Sequence, residues 1–96
     1  MLSKENKKKL SGIASTIDTK YQIGKNGINE NVLMLFDKAL EAHELIKISV
    51  LKSVEEDTSS LAIECSTKLN ADVVNIIGRV IILYRKSKNK DFKHII

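Results

Sequence analysis

The chain has 96 residues, 43% of them apolar, and its 16 Lys and Arg outnumber its 12 Asp and Glu to give a net charge of +4. That length supports one modest core, and that apolar content excludes a largely disordered chain. No apolar run approaches the ~18 residues that a membrane span needs, no signal peptide follows Met1, and the single cysteine, Cys65, allows no internal disulfide. A cytoplasmic location and no membrane association are therefore expected. The charge is unevenly placed: residues 1–27 carry +4, residues 28–77 carry −5 and residues 78–96 carry +5. If the two basic ends meet in the fold, they make a positive face backed by a negative one, the footprint of a polyanion-binding protein. For any single lysine, simple solvation is the commoner role.

Ser3 reads as the N-cap of a first helix reaching about Ile17, with Leu10, Ile13, Ala14 and Ile17 as its core stripe. Lys4 and Lys8 fall on the solvent side and are candidates for phosphate contacts, whereas Lys9, four residues after Glu5, suits a surface ion pair. A short strand, Tyr21-Gln22-Ile23, leads into Gly24-Lys25-Asn26-Gly27 and then, through Ile28, to a second helix over 29–43. Glycines bracketing Lys25 and Asn26 let backbone approach a phosphate, and free amides at a helix start are anion donors. By itself Gly-x-x-Gly is a weak pattern that most often marks only a turn.

The second helix carries Val32, Leu33, Leu35, Phe36, Ala39 and Leu40 as its inner stripe, and His43, near its end, reads as a packed structural histidine. Leu45–Leu51 alternates as a strand with Ile46, Ile48 and Val50 on one face. Glu55-Glu56-Asp57 precedes a third helix over 58–69, capped by Asp57 or Thr58 and ended by Asn70, with Cys65 as a small buried hydrophobe. Residues 72–77 and 80–84 form two strands joined at Gly78-Arg79, and Val80-Ile81-Ile82-Leu83 suits a strand covered on both faces. The Lys-rich segment after Arg85 reads as loosely ordered, with Phe92, Ile95 and Ile96 available to dock. The order is α-β-α-β-α-β-β, a single α/β layer structure. No P-loop, nucleophile elbow or metal-ligand pair occurs, so neither an enzyme nor a cofactor or metal site is expected.

Three separated motifs then resemble one known family. Tyr21–Glu30 is similar to the glycine-loop signature of the CRM domain in its bacterial stand-alone YhbY-like form. Ala39–Ile48 resembles that family's second helix and second strand, and Ile77–Arg85 its closing hairpin. The resemblance implies a four-stranded mixed sheet with helices packed on it, similar to the C-terminal domain of translation initiation factor three. It implies a CRM-type RNA-binding domain over 1–86 with a basic tail over 87–96. It also implies RNA binding in ribosome assembly, on structured ribosomal RNA of large-subunit precursors; a monomer suits the size and composition, and no small-molecule substrate is expected. The residues so assigned are Gly24, Lys25, Asn26 and Gly27 of the loop. Lys4, Lys7, Lys8 and Lys20 before it suit the family in character and not at fixed positions, and Arg79, Arg85 and Lys86 near the end are read from their charge as extending the positive face. The family often has glycine where this chain has Asn26, which tolerates left-handed backbone, so the turn is expected to survive. Aromatic residues are scarce, which favours recognition by shape and backbone over a stacking platform. A protein-interaction adaptor using the acidic middle, or a general nucleic-acid-binding protein, are the alternative readings.

Overall fold

The computed structural model describes residues 2–89 and 91–96. Helix α1 spans Lys4–Ala14 and opens at Ser3, whose Oγ accepts from the Asn6 amide at 3.1 Å. It ends short of Ile17 because the Ser15 and Thr16 hydroxyls donate to the Gly12 and Ile13 carbonyls, at 2.6 and 2.7 Å, as the chain turns. Strand β1 (Tyr21–Ile23), helix α2 (Glu30–His43), strand β2 (Leu45–Val50), helix α3 (Thr58–Leu69) and strands β3 (Asp72–Ile77) and β4 (Val80–Tyr84) follow. This is the order that the sequence predicts. Asn29 caps α2 through Oδ1 to the Val32 amide at 3.0 Å. Asn70 ends α3 in the left-handed region, at φ 53°.

The four strands form one mixed sheet in the order β1-β2-β4-β3, with β1 parallel to β2 and the other pairs antiparallel. Hydrophobic alternation along the two central strands builds two cores. Ile46, Ile48, Val50, Ile81 and Leu83 pack with Phe36, Leu40, Leu61 and Cys65 under α2 and α3. Leu45, Ile82 and Tyr84 pack with Leu10 and Ala14 under α1. The unbroken apolar run of β4 thus serves both faces. Gly78, at φ 58°, occupies the first of two turn positions between β3 and β4.

Two details of the helices depart from the expected pattern. Leu35 is 52% exposed. At about 100° per residue it lies a quarter-turn from Phe36, outside the stripe formed by Val32, Leu33, Phe36, Ala39 and Leu40. Glu5 and Lys9 form no ion pair; among the described residues the pairs are Lys68–Glu64, Arg85–Asp37, Arg85–Glu41 and His94–Glu44.

The segment after β4 is bonded into the fold through a buried acid. Glu44, between α2 and β2, has 0% exposure and a positive φ of 64°. Its carboxylate accepts from the Ser87 amide at 2.6 Å and the Ile95 amide at 3.0 Å, and lies 2.5 Å from His94 Nδ1. Burial alone would raise this carboxyl, but the Ser87 amide, His94 and the Ile95 amide outweigh it and hold it below its ordinary value of 4.5. Stability drawn from these bonds is therefore full above pH 4.5 and is lost as pH falls through the lower folded value. Glu44→Gln is expected to cost about 1–3 kcal/mol at neutral pH. Urea denaturation between about pH 5 and 3 should then show a shallower acid dependence in this variant than in the parent, as proton linkage requires.

Candidate nucleic-acid interface

The glycine loop is a hydrogen-bonded turn. The Gly27 amide donates to the Gly24 carbonyl at 2.8 Å, leaving Lys25 and Asn26 exposed at its tip. Gly27 has φ 67°, whereas Asn26 does not enter the left-handed region. The turn therefore survives for a different reason from the one the sequence suggests: Gly27 alone carries the demanding conformation, and the third loop position is permissive. Among the described residues no hydrogen bond takes up the Lys25 or Asn26 amide. The first amides of α2, at Glu30 and Asn31, have no intrahelical acceptor either. Four amide donors and one ammonium thus lie along one short stretch, residues 25–31, an arrangement suited to an anion.

The sheet brings one other candidate to this loop. Leu51, just past β2, donates its amide to the Ile23 carbonyl at 3.0 Å and accepts from Arg79 Nη1 at 3.3 Å. The Arg79 carbonyl in turn accepts from the Val50 amide at 2.7 Å. The loop, the end of β2 and the β3–β4 turn therefore meet at one end of the sheet, with Arg79 exposed there. An acid joins them that the sequence did not mark: a Cβ on Gly27 would sit 3.6 Å from Glu56 Oε1. Nothing in the spacing of residues 27 and 56 signals that approach, since the contact forms only when α3 packs beside α2.

The remaining candidates lie elsewhere. Lys4, Lys7 and Lys8 are exposed on α1, which covers the opposite face of the sheet from α2 and α3. Lys20 precedes β1 and Lys86 follows β4, which places both at the far end of the sheet from the glycine loop. Arg85 does not extend a positive face. Its side chain is only 13% exposed, and its guanidinium is bonded to Asp37 Oδ1 at 2.7 Å, to the Leu69 carbonyl at 2.9 Å and to Glu41 Oε1 at 3.4 Å. It clamps α2, α3 and β4 together. His43 is exposed rather than packed in the core. Cys65 is fully buried, and burial, with Glu64 adding to it, pushes its thiol up to about 11, so it is an inert core residue. Among the described residues no cluster of His, Cys, Asp and Glu has the makings of a metal site.

Comparison with known proteins agrees with the topology. The CRS1 / YhbY (CRM) domain model matches residues 2–85. The chain belongs to this family. Among CRM relatives, the Probable RNA-binding protein YqeI of Bacillus subtilis is 39% identical over 88 residues, covering 92% of both chains. An RNA-binding protein of Haemophilus influenzae is 35% identical over 88 residues, covering 91% of this chain and 88% of the relative. The solution structure of the hypothetical protein SAV1595 from Staphylococcus aureus superposes with a TM-score of 0.79 at 41% identity, covering 95% of each chain. In this chain the CRM domain is built on four strands and three helices, with the glycine loop joining β1 to α2.

The loop geometry yields a direct test. Gly27→Ala, which forces a side chain into φ 67°, is expected to cost about 1 kcal/mol. Asn26→Ala should change the thermal midpoint little, since Asn26 is exposed and has ordinary backbone.

Proposed function

We propose that the protein binds structured RNA of large ribosomal-subunit precursors during assembly, in the cytoplasm and as a monomer. The single observation that carries the reading is the exposed Gly24–Gly27 turn, whose tip amides and Lys25 stand free beside the open end of α2. The RNA-binding names borne by its CRM relatives support the ligand class. Backbone amides cradle one or two phosphates, Lys25 and Arg79 add charge, and the exposed Lys4, Lys7 and Lys8 of α1 provide further phosphate contacts. Such contacts position RNA and carry little sequence information.

The few aromatic side chains fit this mode. Phe36 is fully buried, Tyr84 is nearly so, and Tyr21 is held edge-on to Phe36 with centroids 6.1 Å apart. No row of rings is left to splay out a single strand, so the shape and backbone of a folded RNA supply the recognition. Glu56 limits the loop's positive potential, and its charge opposes a phosphate at Gly27.

Lys25→Glu combined with Lys8→Glu is expected to weaken binding to large-subunit ribosomal RNA at least about tenfold, or ~1.4 kcal/mol, with folding intact. Glu56→Gln should act in the opposite sense and tighten it a few-fold. With about four to six phosphates contacted, the slope of log affinity on log salt should lie near −3 to −4 on single-stranded regions. Filter binding across a salt series measures all three, and unchanged affinity in a folded double variant removes the loop from the interface.

A further inference from the structure

At the end of the sheet opposite the glycine loop lies a cleft of about 380 Å³, a size at the lower end of the usual range for ligand sites. Its walls come from the last turn of α1, the start of β1, the end of α2 and the start of β2, with Ile95 closing one side. Ile13 and Ile17 make it apolar, while Lys20 and Lys47 give it two cations; Tyr21 also borders it, but its ring packs edge-on to Phe36 on the α2 and α3 side of the sheet.

Lys47 is the anomaly that calls for an explanation. It is placed on central strand β2, opposite Ile82 of β4, on the face where Leu45, Ile82 and Tyr84 form the core under α1. A half-buried lysine there is costly unless its charge is satisfied. Among the described residues its Nζ reaches only the Ile17 carbonyl, at 3.3 Å, a long bond that takes up one of its three donors. Neither Lys47 nor Lys20 takes part in an ion pair among the described residues, although Asp18 also lines the cleft. An ammonium held at the wall of an apolar cleft, with a second one at its mouth, complements a phosphate attached to a flat apolar body.

β1 links this cleft to the glycine loop. It is an edge strand whose outer side has no partner, and Gln22 at its middle is exposed. From Lys20 to Gly24 the extended chain covers about 13 Å, at ~3.3 Å per residue. That is a short distance for a nucleic-acid strand. We propose that the cleft is a second RNA subsite, in which one nucleotide of the strand gripped by the glycine loop places its phosphate on Lys20 and Lys47. Its base lies against Ile13, Ile17 and Ile95. The proposal rests on the RNA-binding reading above and deepens it, adding Lys47 to the interface and giving the bound strand a path along β1.

The test uses the full chain and a fluorescein-labelled hairpin oligoribonucleotide with a single-stranded overhang, titrated by fluorescence anisotropy over a salt series. Lys20→Gln and Lys47→Gln are each expected to weaken binding about three- to tenfold, and the pair to flatten the salt slope by roughly 0.7, the loss of one single-strand phosphate contact. Lys20 is exposed, so its variant keeps the fold; the thermal midpoint of Lys47→Gln shows whether that variant does. If both variants match the parent in affinity and slope while Lys25→Glu loses binding, the cleft is excluded and the loop reading stands. If Lys20→Gln weakens binding but a folded Lys47→Gln does not, the RNA passes over the surface and the cleft is likewise excluded. A parent protein that fails to bind the hairpin overturns both readings together.

Discussion

A carboxylate with no access to water stands where α2 gives way to β2. Removing such a charge from solvent costs several kcal/mol unless hydrogen bonds replace the lost hydration. Glu44 obtains them from the Ser87 and Ile95 amides and from His94. Its backbone is equally occupied: its amide donates to the Leu40 carbonyl at 2.8 Å, and its carbonyl accepts from the Arg85 amide at 2.9 Å. Only a densely bonded residue holds a non-glycine side chain at φ 64°. With the chain reversed there, β2 enters the sheet at once, parallel to β1, and Ser87, His94 and Ile95 are drawn back to the end of α2.

The same junction shapes the two ends of the sheet differently. At one end Leu51 ties the glycine loop to Arg79, and exposed donors gather with few internal partners. At the other end Arg85 spends its guanidinium on Asp37 and Glu41, and the tail lays Ile95 over the cleft beside Lys47. Cations of the basic terminal regions therefore divide between building the protein and facing solvent. Sequence charge alone treats Arg79 and Arg85 as equivalent; in the fold one is a surface group and the other a clamp.

The fold was legible because its signals are local. Alternation in β2, the apolar run of β4, the Gly78 turn and the caps at Ser3, Asn29 and Asn70 each announce themselves within a few residues. The glycine loop was legible for the same reason, although the burden of positive φ falls on Gly27 and not on Asn26. What the sequence concealed depends on contacts between distant residues. Glu44 reads as an ordinary charge at a helix end, and its three partners lie more than forty positions away. Glu56 beside Gly27, the exposure of His43 and the commitment of Arg85 are hidden in the same way. So is the docking of a tail whose lysines suggest looseness, because the groups that hold it are backbone amides, a serine hydroxyl and a histidine bonded to Glu41 and Glu44. In each case the deciding term is which groups burial leaves without water, and that is set by tertiary packing.

The central claim is that this CRM protein engages one region of large-subunit precursor RNA. Ultraviolet crosslinking of the protein to RNA in growing cells, followed by sequencing of the recovered fragments, tests it most directly. The account predicts reads concentrated at one region of large-subunit precursor RNA. Reads scattered over transfer or messenger RNA would contradict the ribosomal assignment, and recovery of little RNA from a well-expressed protein would contradict RNA binding itself.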